Sequence, residues 1–228
     1  MSYIISIETA TKVCSIALHC NGELIALREN NDQHSHSANI TIFVDEVVKE
    51  AGITFSDINA IAVSKGPGSY TGLRIGVSAA KGFCYGLGIP LISVNTLMAM
   101  AQHTALSQYK KENTLLCPMI DARRMEVFCA LIDTKNQWAK ETEAVIVDES
   151  SFGQELEKHP IVFFGDGAAK CQSSINHPNA IFINETRPSA KYVGELAWGK
   201  FSQKQFEDVA YFEPFYLKEF VATTPKKQ

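Results

Sequence analysis

The chain lacks three features that would each point to a familiar chemistry. It has no Cys-x-x-Cys pair, no two histidines four apart, and no apolar run near the ~20 residues that a membrane helix needs. Its start, Met1-Ser2-Tyr3-Ile4-Ile5, shows neither the basic opening nor the long apolar stretch of a secretion signal. Basic charge is not in excess: 21 lysines and arginines face 25 acidic residues, for a net charge of −4. A protein that grips nucleic acid unaided draws its affinity from neutralised phosphates, so this balance argues against that role. Arg123, Arg124 and the pair Lys226-Lys227 are local basic candidates. The six cysteines (14, 20, 84, 117, 129, 171) are scattered, mostly in apolar runs. Cysteine there behaves as a small buried hydrophobe. The expectation is a reducing, cytoplasmic setting without disulfides.

What is present suits an α/β protein. With 228 residues and 46% hydrophobic content, the chain can build two compact domains or one large one. Tyr3–Ile7, Val13–His19 and Glu23–Glu29 read as strands, with Asn21-Gly22 as a hairpin turn between the second and third. A helix over about 33–51, ending at Gly52, comes next. Strand 58–63, helix 71–87, strand 91–94 and helix 95–109 complete the first half. The second half repeats the order: strands 114–120, 126–133 and 140–147, a short helix to Lys158, strand 161–164, the turn Gly165-Asp166-Gly167, helix 168–174, strand 180–183 and helix 189–202.

The two openings also match locally. Ile7-Glu8-Thr9-Ala10-Thr11 precedes one apolar strand, and Ile120-Asp121-Ala122-Arg123-Arg124 precedes the other. Such doubling predicts two similar domains, 1–107 and 108–228, each a mixed sheet with packed helices. The last helix or the tail has the option of packing back on the first domain.

The most informative stretch is Lys65-Gly66-Pro67-Gly68-Ser69 with the helix behind it. Gly66, Gly68 and Pro67 suit a tight strand-to-helix turn. Ser69 or Thr71 can cap the helix, whose free N–H groups can hold an anion. The two common phosphate motifs fail on spacing: each would need glycine at 71 or 73, where Thr71 and Leu73 stand. The helix itself has few strongly polar residues. Leu73, Val77, Ala80, Cys84 and Leu87 form one stripe; Gly72, Ile75, Ala79, Gly82 and Gly86 form another. Each interior glycine costs roughly 1 kcal/mol against alanine, which makes sense where another backbone comes close. A helix apolar nearly all round is buried on more than one side. The second side is either another element of the same chain or a partner protein. On the preceding helix Ile42 points away from the stripe of Ile40, Phe43, Val44, Val47 and Ala51, which makes it a second interface candidate.

The run Lys65-Gly66-Pro67-Gly68-Ser69-Tyr70-Thr71-Gly72-Leu73-Arg74-Ile75-Gly76 resembles bacterial TsaB (YeaZ-like) proteins, as do Ile7-Glu8-Thr9, Gly88-Ile89-Pro90-Leu91, Val94-Asn95-Thr96-Leu97, Asp121-Ala122-Arg123-Arg124 and Phe215-Tyr216-Leu217. The resemblance covers nearly the whole chain. It implies an actin/hexokinase/Hsp70-like (RNase H-like) fold and a role in placing threonylcarbamoyl on an adenosine beside the tRNA anticodon. It further implies a non-catalytic scaffold that pairs with the metal-bearing catalytic subunit TsaD and the ATPase TsaE, forms a homodimer when alone, and meets tRNA only through the complex. In TsaD-like proteins a His-x-x-x-His pair follows a Gly-x-Pro-Leu strand; here those places are Thr96 and Met100, a poor and a soft ligand. No catalytic or metal residue is therefore expected. His34, His36 and His103 do not restore such a pair.

The expected partner face comprises Ile42, Gly72, Ile75, Ala79, Gly82 and Gly86. Glu8, Thr9, Gly66, Gly68 and Ser69 are candidates for nucleotide or anion contact. No tightly bound cofactor is expected, although ATP or ADP fits a subunit junction. Glu8 alternatively bonds the backbone of its own turn, and Asp121 with the two arginines fits either an ion pair between domains or a ligand cleft. Two further readings stay open: a small-molecule kinase using Glu8, the glycine turn and Asp121, and a glycoprotease-like metallopeptidase.

Overall fold

The computed structural model describes residues 1–31, 36–184 and 186–218. In the first half, β1 (Tyr3–Glu8), β2 (Cys14–Cys20) and β3 (Glu23–Asn30) form an antiparallel meander. Asn21 and Gly22 turn the hairpin with φ of 49° and 87°, the left-handed pair that a two-residue turn requires. Helix α1 (His36–Glu50) leads to β4 (Ile58–Gly66), α2 (Tyr70–Leu87) leads to β5 (Leu91–Asn95), and both strands add parallel to β1. The sheet order is β3-β2-β1-β4-β5.

The second half repeats this plan. Its strands are β6 (Leu115–Asp121), β7 (Glu126–Ile132), β8 (Trp138–Ile146), β9 (Ile161–Phe164) and β10 (Ala180–Ile183). They are ordered β10-β9-β6-β7-β8, the same arrangement read from the other edge. The doubled mixed-sheet fold expected from the sequence is what the chain adopts. The crossovers are thinner here, because α4 (Gly153–Leu156) and α5 (Ala168–Cys171) are single turns.

Period-two alternation separates the faces of the first sheet. Ile5, Ile7, Ile16, Leu18, Ile61 and Val63 point toward α1 and α2, whereas Ile4, Ala60, Ala62, Ile92 and Val94 point the other way. That other face is covered by α6 (Ala190–Ser202), which lies across β1, β2, β4 and β5. Its Gly194 sits directly on His19, where a Cβ would come within 2.2 Å of the imidazole. In return, α3 (Thr96–Met100) from the first half packs on the second sheet, placing Leu97 and Met100 against Leu116, Ile120 and Phe164. The halves are thus interlocked.

One expected helix is broken in the structure. The helix expected over 95–109 splits into α3 and a 3-10 turn, Thr104–Tyr109. His103 Nδ1 accepts from the Ala105 N–H and the Tyr192 hydroxyl meets the Thr104 N–H, so the chain bends there and lays Leu106 into the core. The start of the helix expected near 33, with Gln33 and His34, lies outside the described residues, as does Lys226-Lys227.

Candidate functional site

The glycine turn is built against the chain itself. Ser69 caps α2 by accepting from the Gly72 N–H, and the Ser69 N–H donates to the Ala10 carbonyl at 2.6 Å. A Cβ at Gly68 would lie 2.4 Å from that same carbonyl. At Gly66, φ is 115° and a Cβ would meet the Phe215 carbonyl at 2.6 Å. The Phe215 N–H closes this contact on the Lys65 carbonyl at 2.7 Å. The glycines therefore admit two close backbones, the β1–β2 loop and the stretch after α6.

A cleft of about 1170 Å³ opens beside this turn, between the two halves. Ala10 to Lys12, Gly68 to Gly72 and the β6–β7 turn from Asp121 to Glu126 form its walls, with Asp166 and Tyr216. Tyr216 lies against Tyr70, ring centroids 4.7 Å apart. The β6–β7 turn has two consecutive arginines at positive φ, Arg123 at 74° and Arg124 at 50°. A left-handed conformation costs a non-glycine residue roughly 1–2 kcal/mol. Asp121 helps to hold it, accepting from the Arg123 N–H at 2.9 Å and pairing with the Lys170 ammonium. Partial desolvation opposes ionisation of Asp121, but Lys170 and the Arg123 N–H outweigh it and keep the carboxyl below its ordinary range. Asp121 is thus paired within its own half, with Lys170.

Of the five anion candidates, Gly68 and Ser69 reach the cleft. The other three do not. Glu8 and Thr9 are fully buried, and Gly66 is buried under Phe215. Glu8 bonds its own turn, Oε1 accepting from the Ala10 N–H at 2.6 Å, while among the described residues Oε2 meets no partner within hydrogen-bond distance. Burial pushes its carboxyl up to about 7. Thr9 donates its hydroxyl to the Gly72 carbonyl.

The proposed partner face also needs one correction. Gly72 is buried, and a Cβ there would lie 2.1 Å from the Thr9 carbonyl, so its small size serves the chain's own fold. Ile75 and Ala79 are half-buried against the first core. Gly82 and Gly86 are exposed, with nothing among the described residues within 4 Å of a Cβ on either. Tyr85 between them is 88% exposed and Ile42 on α1 is 52% exposed. Thr96 and Met100 belong to the core: both are buried, and a Cβ on Gly165 would meet the Met100 methyl at 2.7 Å.

Sequence reasoning missed Lys12, Asp166 and Tyr216 as cleft residues. The Gly165-Asp166-Gly167 turn was a visible signal, since Asp166 accepts from the Asp121 N–H. Among the described residues no helix is long and apolar enough to cross a membrane.

Comparison with known proteins gives consistent results. Residues 29–225 match the family described as TsaD, tRNA N6-adenosine threonylcarbamoyltransferase. A Haemophilus influenzae protein called tRNA threonylcarbamoyladenosine biosynthesis protein TsaB is 30% identical, over 96% of this chain and 94% of that one. Among solved structures, a Pseudomonas aeruginosa protein with similarity to peptidase YeaZ superposes with a TM-score of 0.82 at 24% identity, over 96% of this chain and 100% of that one. An activator of 2-hydroxyisocaproyl-CoA dehydratase from Clostridium difficile, with bound ADPNP, superposes at 0.50 with 11% identity, over 90% and 98%. These structural likenesses extend to the fold.

Proposed function

The chain belongs to the TsaB family of tRNA threonylcarbamoyladenosine biosynthesis proteins, and from that premise we propose that it serves as a non-catalytic subunit of the modifying complex. In this reading residues 1–107 supply the docking helices. Their outer face, Ile42 with Gly82, Tyr85 and Gly86, pairs with a TsaD-type catalytic subunit, or with a second copy of this chain when that subunit is absent. A TsaE-type ATPase joins the pair, and ATP or ADP occupies the junction through the cleft beside Gly68 and Ser69. The tRNA is met through the assembled complex.

The observation that carries the proposal is the open glycine pair on α2. A glycine within a helix costs roughly 1 kcal/mol against alanine, and among the described residues neither Gly82 nor Gly86 has a neighbour that would exclude a Cβ. Their small size is therefore unexplained by the described residues and suits a closely approaching partner helix. The burial of Thr96 and Met100 supports the non-catalytic part of the reading.

Gly82→Trp fills the open face without touching the core. We expect it to abolish pairing with the TsaD-type subunit, measured by sedimentation, while thermal unfolding of the monomer stays cooperative. Threonylcarbamoyl transfer to tRNA, reconstituted from purified components, should require this chain and should fail with the variant. Unchanged pairing and unchanged transfer would refute the assignment.

A further inference from the structure

On the other side of Phe215, which lines both, the structure contains a second cavity to which the proposed function gives no role. It measures about 700 Å³ and lies between the carboxyl ends of β4 and β5, the last turns of α6, and β8 of the second sheet. Its wall is apolar over a large part: Trp138 from β8, Met98 from α3 and Leu196 from α6. Two ammonium groups share it, Lys65 and Lys200. Lys200 is half-buried and donates to the Ser93 carbonyl at 2.7 Å. Lys65 is half-buried as well, and among the described residues no acceptor meets its ammonium. The two repel each other: burial depresses the Lys200 ammonium, and the nearby positive charge of Lys65 depresses it further. Glu141 is the one acidic residue in the wall, and it is exposed; Glu207 acts on Lys200 from outside the wall and spends a carboxylate oxygen on the Ser93 hydroxyl.

Two like charges beside one another, partly desolvated and with only one clearly engaged, are costly unless an anion sits between them. A cavity with an indole on one side and polar groups converging on another is the usual form of a small-molecule site. We propose that this cavity binds a small organic anion, its carboxylate or phosphate held between Lys65 and Lys200 and its flat apolar body against Trp138. The site spans both halves, since Asn95 at its edge donates to Thr142 across the junction at 3.2 Å. Occupation would therefore add a link between the two sheets.

Calorimetric titration of the full chain with phenyl phosphate, benzoate and the neutral benzyl alcohol tests this. Saturable binding of at least one anion, with none for the alcohol, is expected; which anion binds tells carboxylate from phosphate. Lys65→Gln should weaken that binding about tenfold or more, the loss of one charge-assisted contact. Lys200→Gln should act likewise, and Trp138→Ala should weaken the aromatic anions more than inorganic phosphate. Melting curves establish that each variant is folded, and among the described residues Lys65→Gln breaks no side-chain hydrogen bond or ion pair. No saturable heat with either anion, equal binding of the alcohol, or full affinity in folded Lys65→Gln would overturn the proposal.

Discussion

Two buried titratable groups on one face of the first sheet should make its pH dependence deceptively flat. Glu8 and His19 both project to the α6 side and are fully buried. Burial raises the Glu8 carboxyl from 4.5 to about 7 and lowers the His19 imidazole from 6.5 to about 4. For Glu8, the unfolded chain releases its proton above 4.5 while the folded chain holds it to about 7, so stability falls as pH rises through that window. For His19, the unfolded chain takes up a proton below 6.5 while the folded chain refuses it to about 4, so stability falls as pH drops through that window. Integrated from pH 8 to pH 5, Glu8 adds about 2.5 kcal/mol of stability and His19 removes about 2 kcal/mol. The wild type should therefore change little across that interval from these two groups.

Glu8→Gln breaks the cancellation. Urea unfolding of the variant should show it gaining on wild type at pH 8 and losing about 2 kcal/mol of its own stability between pH 8 and pH 5. His19→Gln should show the opposite trend, rising by about 2.5 kcal/mol over the same interval. If Glu8→Gln and wild type keep a constant difference from pH 5 to pH 8, Glu8 is ionised in the folded chain and the reasoning fails.

The glycines of α2 divide sharply by what lies over them. Gly82→Ala and Gly86→Ala should each stabilise the isolated chain by about 0.5–1 kcal/mol in thermal melts. Gly72→Ala should instead destabilise it by about 1–3 kcal/mol, since the new methyl meets the Thr9 carbonyl. The Lys218–Glu126 pair, open to solvent on its lysine side, joins the chain after α6 to the second sheet. Lys218→Ala should nonetheless change the unfolding midpoint by less than the equivalent of about 1 kcal/mol, and a larger loss would show a role beyond a surface ion pair.

Much of the fold was legible because its signals are local. Asn21-Gly22 specifies its turn by backbone sterics, and the alternation Ile4/Ile5 and Ala62/Val63 assigns residues to opposite faces without reference to anything distant. The site was less legible because its determinants are not local. Glycine at helical spacing says that something comes close but not what, so Gly72, which admits the chain's own Thr9, is indistinguishable in sequence from Gly82, which admits nothing among the described residues. Glu8 looks like a ligand carboxylate until the fold shows it buried and bonded to the Ala10 N–H of its own turn. The split after Met100 depends on Tyr192, nearly a hundred positions away, and no short window contains it.

The exchange of helices between the halves sets an order for synthesis on the ribosome. All five strands of the first sheet emerge by Asn95, but the helix that covers one of their faces is complete only at Ser202. At roughly 5–20 residues per second, that apolar face, with Ile4, Ala60, Ile92 and Val94, waits about 5–20 seconds for its cover. A nascent first half is consequently a client for holding chaperones, and a message truncated before codon 190 should yield an aggregating product instead of a folded lobe.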